Sequence, residues 1–434
     1  MMIEKVVSIL KNSTGLSGWK INEVRTESVE LFFVKKSLDT NRGKDVSHLK
    51  LTVYVDSSED GKKYRGSSTS EIYPTMNDED IKKVVKRLTF SASLAKNEYY
   101  PLARMSEKAK GNVVSNFDKK PLEDWIPDVI DAIYKNDKYK EGRINSAEMF
   151  INKNTTRILN SEGVDVNFSG YSAMMEVVAN WDGKGETVEV WDDFNFSNFD
   201  PEYISGIVDS MLKKSKYKST AVKTPKVKKG TPVILAGNTV KTLLSYYYNQ
   251  SAASSVYNKI SAYKVGDDIQ KDAEGDRLTL ELDPYVQNST LSAPYDSDGY
   301  SLSKVGIIKD GVLKRNWGSV RFSHYLGIEP TGNIGNYVVS GGSKSIKELK
   351  KDPYLELLSF SDFQTDSITG DFGGEIRLGL YFDGEKVTPV TSGSLSGNIV
   401  KAQKNMYFSK ELQEDDNFVG PKVVSLSDVS IAGA

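Results

Sequence analysis

Two histidines, His48 and His324, stand alone in a chain of 434 residues that contains no cysteine. Thiolate nucleophiles, thiolate metal ligands and disulfides are therefore excluded together. Zinc bound by histidine would require both imidazoles to converge, or one of them to join carboxylates. His324, within Phe322-Ser323-His324-Tyr325, could act as a general base only with a partner that the sequence does not identify; the plainer reading is a packed or surface side chain. Asp296-Ser297-Asp298-Gly299 offers two spaced carboxylates for a hard cation. The further ligands and the later bidentate glutamate of a calcium loop are missing, so the stretch is expected to be a turn. A hydrolase rebuilt around His324, Asp296 or Asp298 stays open as one reading of these residues. No Gly-x-Ser-x-Gly elbow precedes a helix, and "TGNIGN" lacks the glycine spacing and the strand-to-helix setting of a phosphate loop. Tyr246-Tyr247-Tyr248, placed at a helix start, either lines a peptide groove or packs as core or interface; the large apolar area favours packing.

The elements that would position these residues fall into two groups. Ile3, Val6, Val7 and Leu10 mark a short amphipathic helix, and residues 21 to 36 and Leu51, Val53 and Val55 read as strands. Asn77 caps a helix with Ile81, Val84, Val85, Leu88, Ala92 and Ala95 on its apolar face. Another helix runs from about Leu122, with Pro127 tolerated in its first turn. Residues 143 to 196 alternate as antiparallel strands, through Ala147, Met149 and Ile151 and then Val188 and Val190. Asp200-Pro201 opens a last helix carrying Ile204, Ile207, Val208, Met211 and Leu212. Residues 213 to 230 then hold eight lysines and no acid, which reads as a solvated connector. The expected organisation is an N-terminal unit over 1–215, a basic linker over 216–230 and a C-terminal unit over 231–434. The second unit is turn-rich and mainly antiparallel β, with Leu278, Leu280 and Leu282 alternating, and Ile376, Leu378, Leu380 and Phe382 leading into an Asp383-Gly384 hairpin turn. The fold class is α+β: a two-layer α/β domain with an antiparallel sheet, then a mainly antiparallel β domain with a barrel-like twisted sheet.

Composition sets the setting. Net charge is -2, from 57 basic and 59 acidic residues, so no global field favours nucleic acid, and mean hydropathy is -0.44. No run approaches the ~20 apolar residues of a membrane span, and the first residues lack a secretion signal. A cytoplasmic protein is expected. The glycines of "DFGGEIRLGLYFDGEK" and "GSLSGN" supply positive φ or close backbone approach, either to shape a sheet or to admit a ligand.

An ordered series of motifs carries a resemblance. "RILNSEGVDV" (157–166), "TPVILAGNTVKTLLSYYYNQ" (231–250), "PYDSDGYSLSKVGIIKDGVLK" (294–314), "PTGNIGN" (330–336) and residues 369–399, with Thr369-Gly370 in place of a Ser-Gly pair, together resemble the TldD/PmbA family. Active members carry His-Glu-x-x-x-His on the helix after the "PVIL"-type strand, where imidazoles hold Zn2+ and the glutamate takes a proton from metal-bound water. Here the equivalent positions are Ser245, Tyr246 and Gln250. Serine and glutamine are poor zinc ligands, a tyrosine of pKa ~10 cannot replace a carboxylate base, and the family's C-terminal cysteine ligand has no counterpart. The resemblance therefore implies a PmbA-like (TldE-like) partner chain without its own metal, paired with a zinc-bearing TldD-like metalloprotease subunit acting on unfolded peptides. It also implies a context of proteins named modulators of DNA gyrase and linked to peptide maturation. A free-standing, homodimeric binding or scaffold protein is the alternative.

Overall fold

The computed structural model describes residues 2–105, 109, 111 and 113–433. Its first unit is a seven-stranded antiparallel sheet built from long hairpins. In chain order these strands are β1 (Gly18–Val34), β2 (Ser37–Glu59), β3 (Lys62–Ile72), β4 (Asn97–Glu98), β5 (Gly142–Asn160), β6 (Asp165–Asp182) and β7 (Thr187–Phe196). Across the sheet the order is β4-β3-β2-β1-β5-β6-β7. Strand side chains alternate between faces, and the sequence uses that alternation to make two different surfaces. Leu31, Phe33, Ala147, Met149, Ile151, Ala173, Met175 and Val177 bury one face against helices α3 (Ile126–Tyr134) and α4 (Pro201–Ser219). A second cluster packs α1 (Met2–Lys11) and α2 (Asp78–Leu94) on β1–β3, through Val6, Leu10, Ile21, Leu51, Val53, Ile81, Val85 and Leu88.

The caps expected from sequence are formed. The Asn77 side chain accepts from the Asp80 N–H at 3.0 Å, and Asp200 accepts from the N–H groups of Glu202 and Tyr203 at 2.9 and 3.1 Å. The helix anticipated from Leu122 begins instead as a 3-10 turn, Leu122–Trp125. Pro127 lies at the start of α3, where its missing N–H would have no helical acceptor. The lysine-rich stretch differs more. Lys213 to Lys218 belong to α4, whose exposed face is held by the Asp209–Lys213 pair at 2.6 Å, and cations near its end oppose the helix dipole. Residues 216–219 of the expected linker are thus helical. Beyond them β8 (Val222–Lys223) pairs in parallel with Val390–Thr391, and the buried Thr224 donates its hydroxyl to Thr391 O at 3.0 Å and Ser392 O at 2.7 Å. The connector is pinned rather than free.

The second unit holds a six-stranded and a ten-stranded sheet around one large core. Its pairing is mainly antiparallel, with parallel joins such as β9 (Val233–Ala236) to Tyr354–Phe360. Leu278, Leu280 and Leu282 are all fully buried, and the hairpin from Asp371–Phe382 to Val387–Thr391 turns at Asp383, whose carboxylate accepts from the N–H groups of Glu385 and Lys386 at 2.9 Å each. The chain is α+β, as its patterning predicts. Among the described residues no helix is long and apolar enough to cross a membrane.

Gly66 on β3 shows how tightly α2 is laid on the sheet: a Cβ there would stand 1.9 Å from Ala92 O and 2.4 Å from Ala95 O. Backbone carbonyls cannot step aside as a flexible side chain can. Gly66→Ala is therefore expected to lower unfolding stability by about 1–3 kcal/mol or more, read as a drop in the denaturant midpoint, while Gly43→Ala, with nothing within 4 Å of its Cβ, should cost far less.

Candidate functional site

Ser245, Tyr246 and Gln250, the positions that the resemblance matches to metal ligands and base, lie on α5 (Asn238–Gln250), which follows β9 directly. The helix buries Val240, Leu243, Leu244, Tyr246, Tyr247 and Gln250. The tyrosine run occupies its C-terminal turns, not its start, because apolar spacing carries the helix from Val240 onward. Tyr246 is 1% exposed and its hydroxyl lies 3.4 Å from that of Tyr263. Burial, and then Tyr263, hold its hydroxyl pKa well above the usual range, so it cannot serve as a base at neutral pH. Tyr247 donates to the Gln403 side chain at 2.8 Å, and Tyr248 lies tilted against Trp317, with ring centres 4.4 Å apart, and donates to Ile334 O at 2.9 Å. The run is core.

Ser245 turns its hydroxyl back to Thr242 O at 2.8 Å within the helix. Gln250, 2% exposed, is held on three sides: its amide N–H groups donate to Ser367 O at 2.6 Å and Ile260 O at 3.3 Å, while its oxygen accepts from the Ala262 N–H at 2.7 Å. It ties α5 to two loops. Sequence reasoning marked this position only as a lost ligand, because its partners lie 10 to 117 residues away. Zinc, which the resemblance places at these positions only in active members, does not fit these residues. Neither the serine nor the glutamine is a good zinc donor, both are engaged with backbone, and an aromatic ring fills the place of the base. Among the described residues no three His, Asp or Glu side chains form a group able to hold a metal ion.

The other candidates are placed elsewhere. His48 is exposed on β2, with Nδ1 2.5 Å from Glu71 Oε1. His324 is exposed on the short helix Val320–Leu326. No hydrogen bond or ion pair joins it to Asp296 or Asp298 among the described residues. Asp296 is 5% exposed and accepts three backbone N–H groups: Asp298 at 2.9 Å and Tyr300 at 3.0 Å on one oxygen, Asn333 at 3.1 Å on the other. The turn reading is correct, and the same carboxylate joins the "PYDSDGY" and "PTGNIGN" stretches. Gly299 (φ +76°) lets this turn press on "RILNSEGVDV", since a Cβ would stand 2.4 Å from Val164 Cγ1. Lys20 pairs with Asp298, and the Asn22 side chain donates to Ser297 O at 2.9 Å. These motifs fasten the two halves of the chain together.

Two outcomes follow from these contacts. Gln250→Ala removes the side-chain partner of three part-buried or exposed backbone groups and is expected to cost about 1–3 kcal/mol, whereas Ser245→Ala should change stability little; equilibrium unfolding compares them. Burial, followed by the charge of Asp298, pushes the Asp296 carboxyl up to about 6. A folded pKa above the unfolded value adds stability that is complete below about pH 4 and is lost as pH rises through about 6. Unfolding midpoints across that window should fall with rising pH, and Asp296→Asn should flatten the dependence.

Residues 228–433 match the family described as PmbA/TldA metallopeptidase C-terminal domain. The chain is 28% identical over 208 residues to the metalloprotease PmbA of Escherichia coli O157:H7, covering 46% of each protein. It is also 24% identical over 296 residues to the uncharacterized protein MJ0231 of Methanocaldococcus jannaschii, covering 63% of this chain and 66% of that one. The match thus spans about half the length of the first relative and two thirds of the second. The crystal structure of TldE from Thermococcus kodakarensis superposes over 100% of both chains with a TM-score of 0.78 at 17% identity, a likeness of fold. The chain thus carries over residues 228–433 a match to the PmbA/TldA metallopeptidase C-terminal domain, and it shares its fold along the whole length with the solved TldE structure.

Proposed function

We propose that this chain is a non-catalytic subunit of a heterodimeric metallopeptidase, supplying wall and peptide contacts while a TldD-like partner carries zinc and the general base. The observation that carries the reading is the state of α5. Ser245, Tyr246 and Gln250 stand where the resemblance puts two zinc ligands and a base, and each is committed to backbone or core. Extended strands on the first unit suit contact with unfolded peptide, whose backbone pairs readily with a sheet. The reading also takes the chain as two units dividing within 216–230, and places it in the cytoplasm, where a protein without cysteine is at home.

The test is co-expression with a TldD-like chain that has an intact His-Glu-x-x-x-His. A stoichiometric complex that cleaves unfolded peptides, with cleavage lost when the partner's motif is substituted and unaffected by Ser245→Ala here, is the expected result. A purified chain that remains alone, as monomer or homodimer, in the presence of every such partner of its host would overturn the reading.

A further inference from the structure

Helices α1 to α4 pack on one face of the seven-stranded sheet, and the second unit's Tyr295 and Val320 cover the Ile158–Val166 end of the other. On the other, strand register brings Phe32 opposite Glu148, Glu148 opposite Glu176, and Glu176 opposite Asp193, in one row across β1, β5, β6 and β7. Beside this row lie Phe150, whose ring meets Phe32 edge-on at 5.5 Å, and Trp191, 55% exposed. These side chains are half-buried or exposed, with no helix packed over them.

Like charges directly opposite on neighbouring strands repel. Glu148 and Glu176 nevertheless face each other with no hydrogen bond or ion pair to either side chain among the described residues. Burial and the charge of Glu176 together raise the Glu148 carboxyl pKa above its ordinary range. Lys241 is the nearby cation that Asp193 feels, and nothing comparable reaches the middle of the row. Binding sites are among the places where a chain keeps an arrangement that costs stability. The chain itself displays the matching chemistry one position along: Arg42, from the exposed outer part of β2, pairs with Glu30 and sets its guanidinium 5.8 Å from the Phe32 ring centre. Carboxylate beside aromatic ring is a seat for a cationic side chain.

We propose that the part of this sheet face around the row is an interaction surface for an extended, Lys/Arg-bearing segment of the substrate peptide, its cationic side chains seated at Glu148, Glu176 and Asp193 against Phe150 and Trp191. The inference rests on the peptide-contact reading above and narrows it to basic sequences. Occupation by an acidic or a neutral peptide is disfavoured by the same uncompensated charge, and a second copy of the chain would bring the same carboxylates against themselves.

The test uses the purified full-length chain without any partner, so that it can fail while the heterodimer reading stands, and the reverse. A fluorescein-labelled peptide alternating lysine and valine, and its glutamate counterpart, are titrated at low salt and read by anisotropy. The expected result is binding of the basic probe alone, weakened at least tenfold in the double variant Glu148→Gln/Glu176→Gln and by added salt. That variant should unfold at the same or a higher temperature than the parent, since a repulsion has been removed, and this excludes misfolding as the cause. Equal binding of both probes, no binding of the basic probe, binding indifferent to the double variant, or self-association through this face without uptake of peptide would each overturn the proposal.

Discussion

A side-chain amide has one acceptor oxygen and two N–H donors, and at Gln250 all of them are spent on backbone. This constraint organises the region where the family's chemistry would sit. The amide fixes the end of α5 to the loop at Ile260–Ala262 and to Ser367, which leads into the strand beginning at Asp371. Tyr246 packs beside Tyr263, and Gly370 approaches its ring closely enough that a Cβ would lie 3.3 Å away. A helix held in this way turns the Gln250 edge to backbone, and Tyr246 and the surrounding loops take part in the same packing.

The same economy runs through the join between the two halves. Carboxylates that resemble a cation site in sequence instead collect backbone N–H groups, which a buried carboxylate needs if it is to stay hydrogen-bonded away from water. Asp296 binds one strand–turn segment to another, Asp298 reaches across to Lys20, and Gly299 brings the turn down onto the β5–β6 hairpin. The family's recurring motifs are therefore explained here by packing and by backbone satisfaction. The seven-stranded sheet departs from that economy, since the face opposite α1 to α4 carries Glu148 and Glu176 in register with no ion pair or hydrogen bond among the described residues.

Much of the fold was legible. Alternation at Ala147, Met149 and Ile151 located β5 and its buried face, and Asn77 and Asp200 marked their helix starts, because a period of two and a cap are local signals. The same alternation placed Glu148 on the opposite face, but its register against Glu176 depends on how two strands of nearly twenty residues pair, which no local pattern reports. The end of α4 runs into the expected linker because lysines suit a helix C-terminus as well as a solvated connector, and the tyrosine run lies in the last turns of α5 because Val240, Leu243 and Leu244 begin that helix before it. For the site, the resemblance implies which residue types are replaced at Ser245, Tyr246 and Gln250. It could not show that Gln250 had acquired a structural duty, since the partners of its amide are loops brought close only by the finished fold.

The central claim, that this chain holds no catalytic metal of its own, is tested most directly by elemental analysis of the chain purified alone without chelators, in zinc-supplemented medium. The account predicts zinc far below one equivalent, unchanged by His324→Ala. Zinc near one equivalent, lost on substituting His324, Asp296 or Asp298, would contradict it and place a metal centre where the structure shows a backbone clasp.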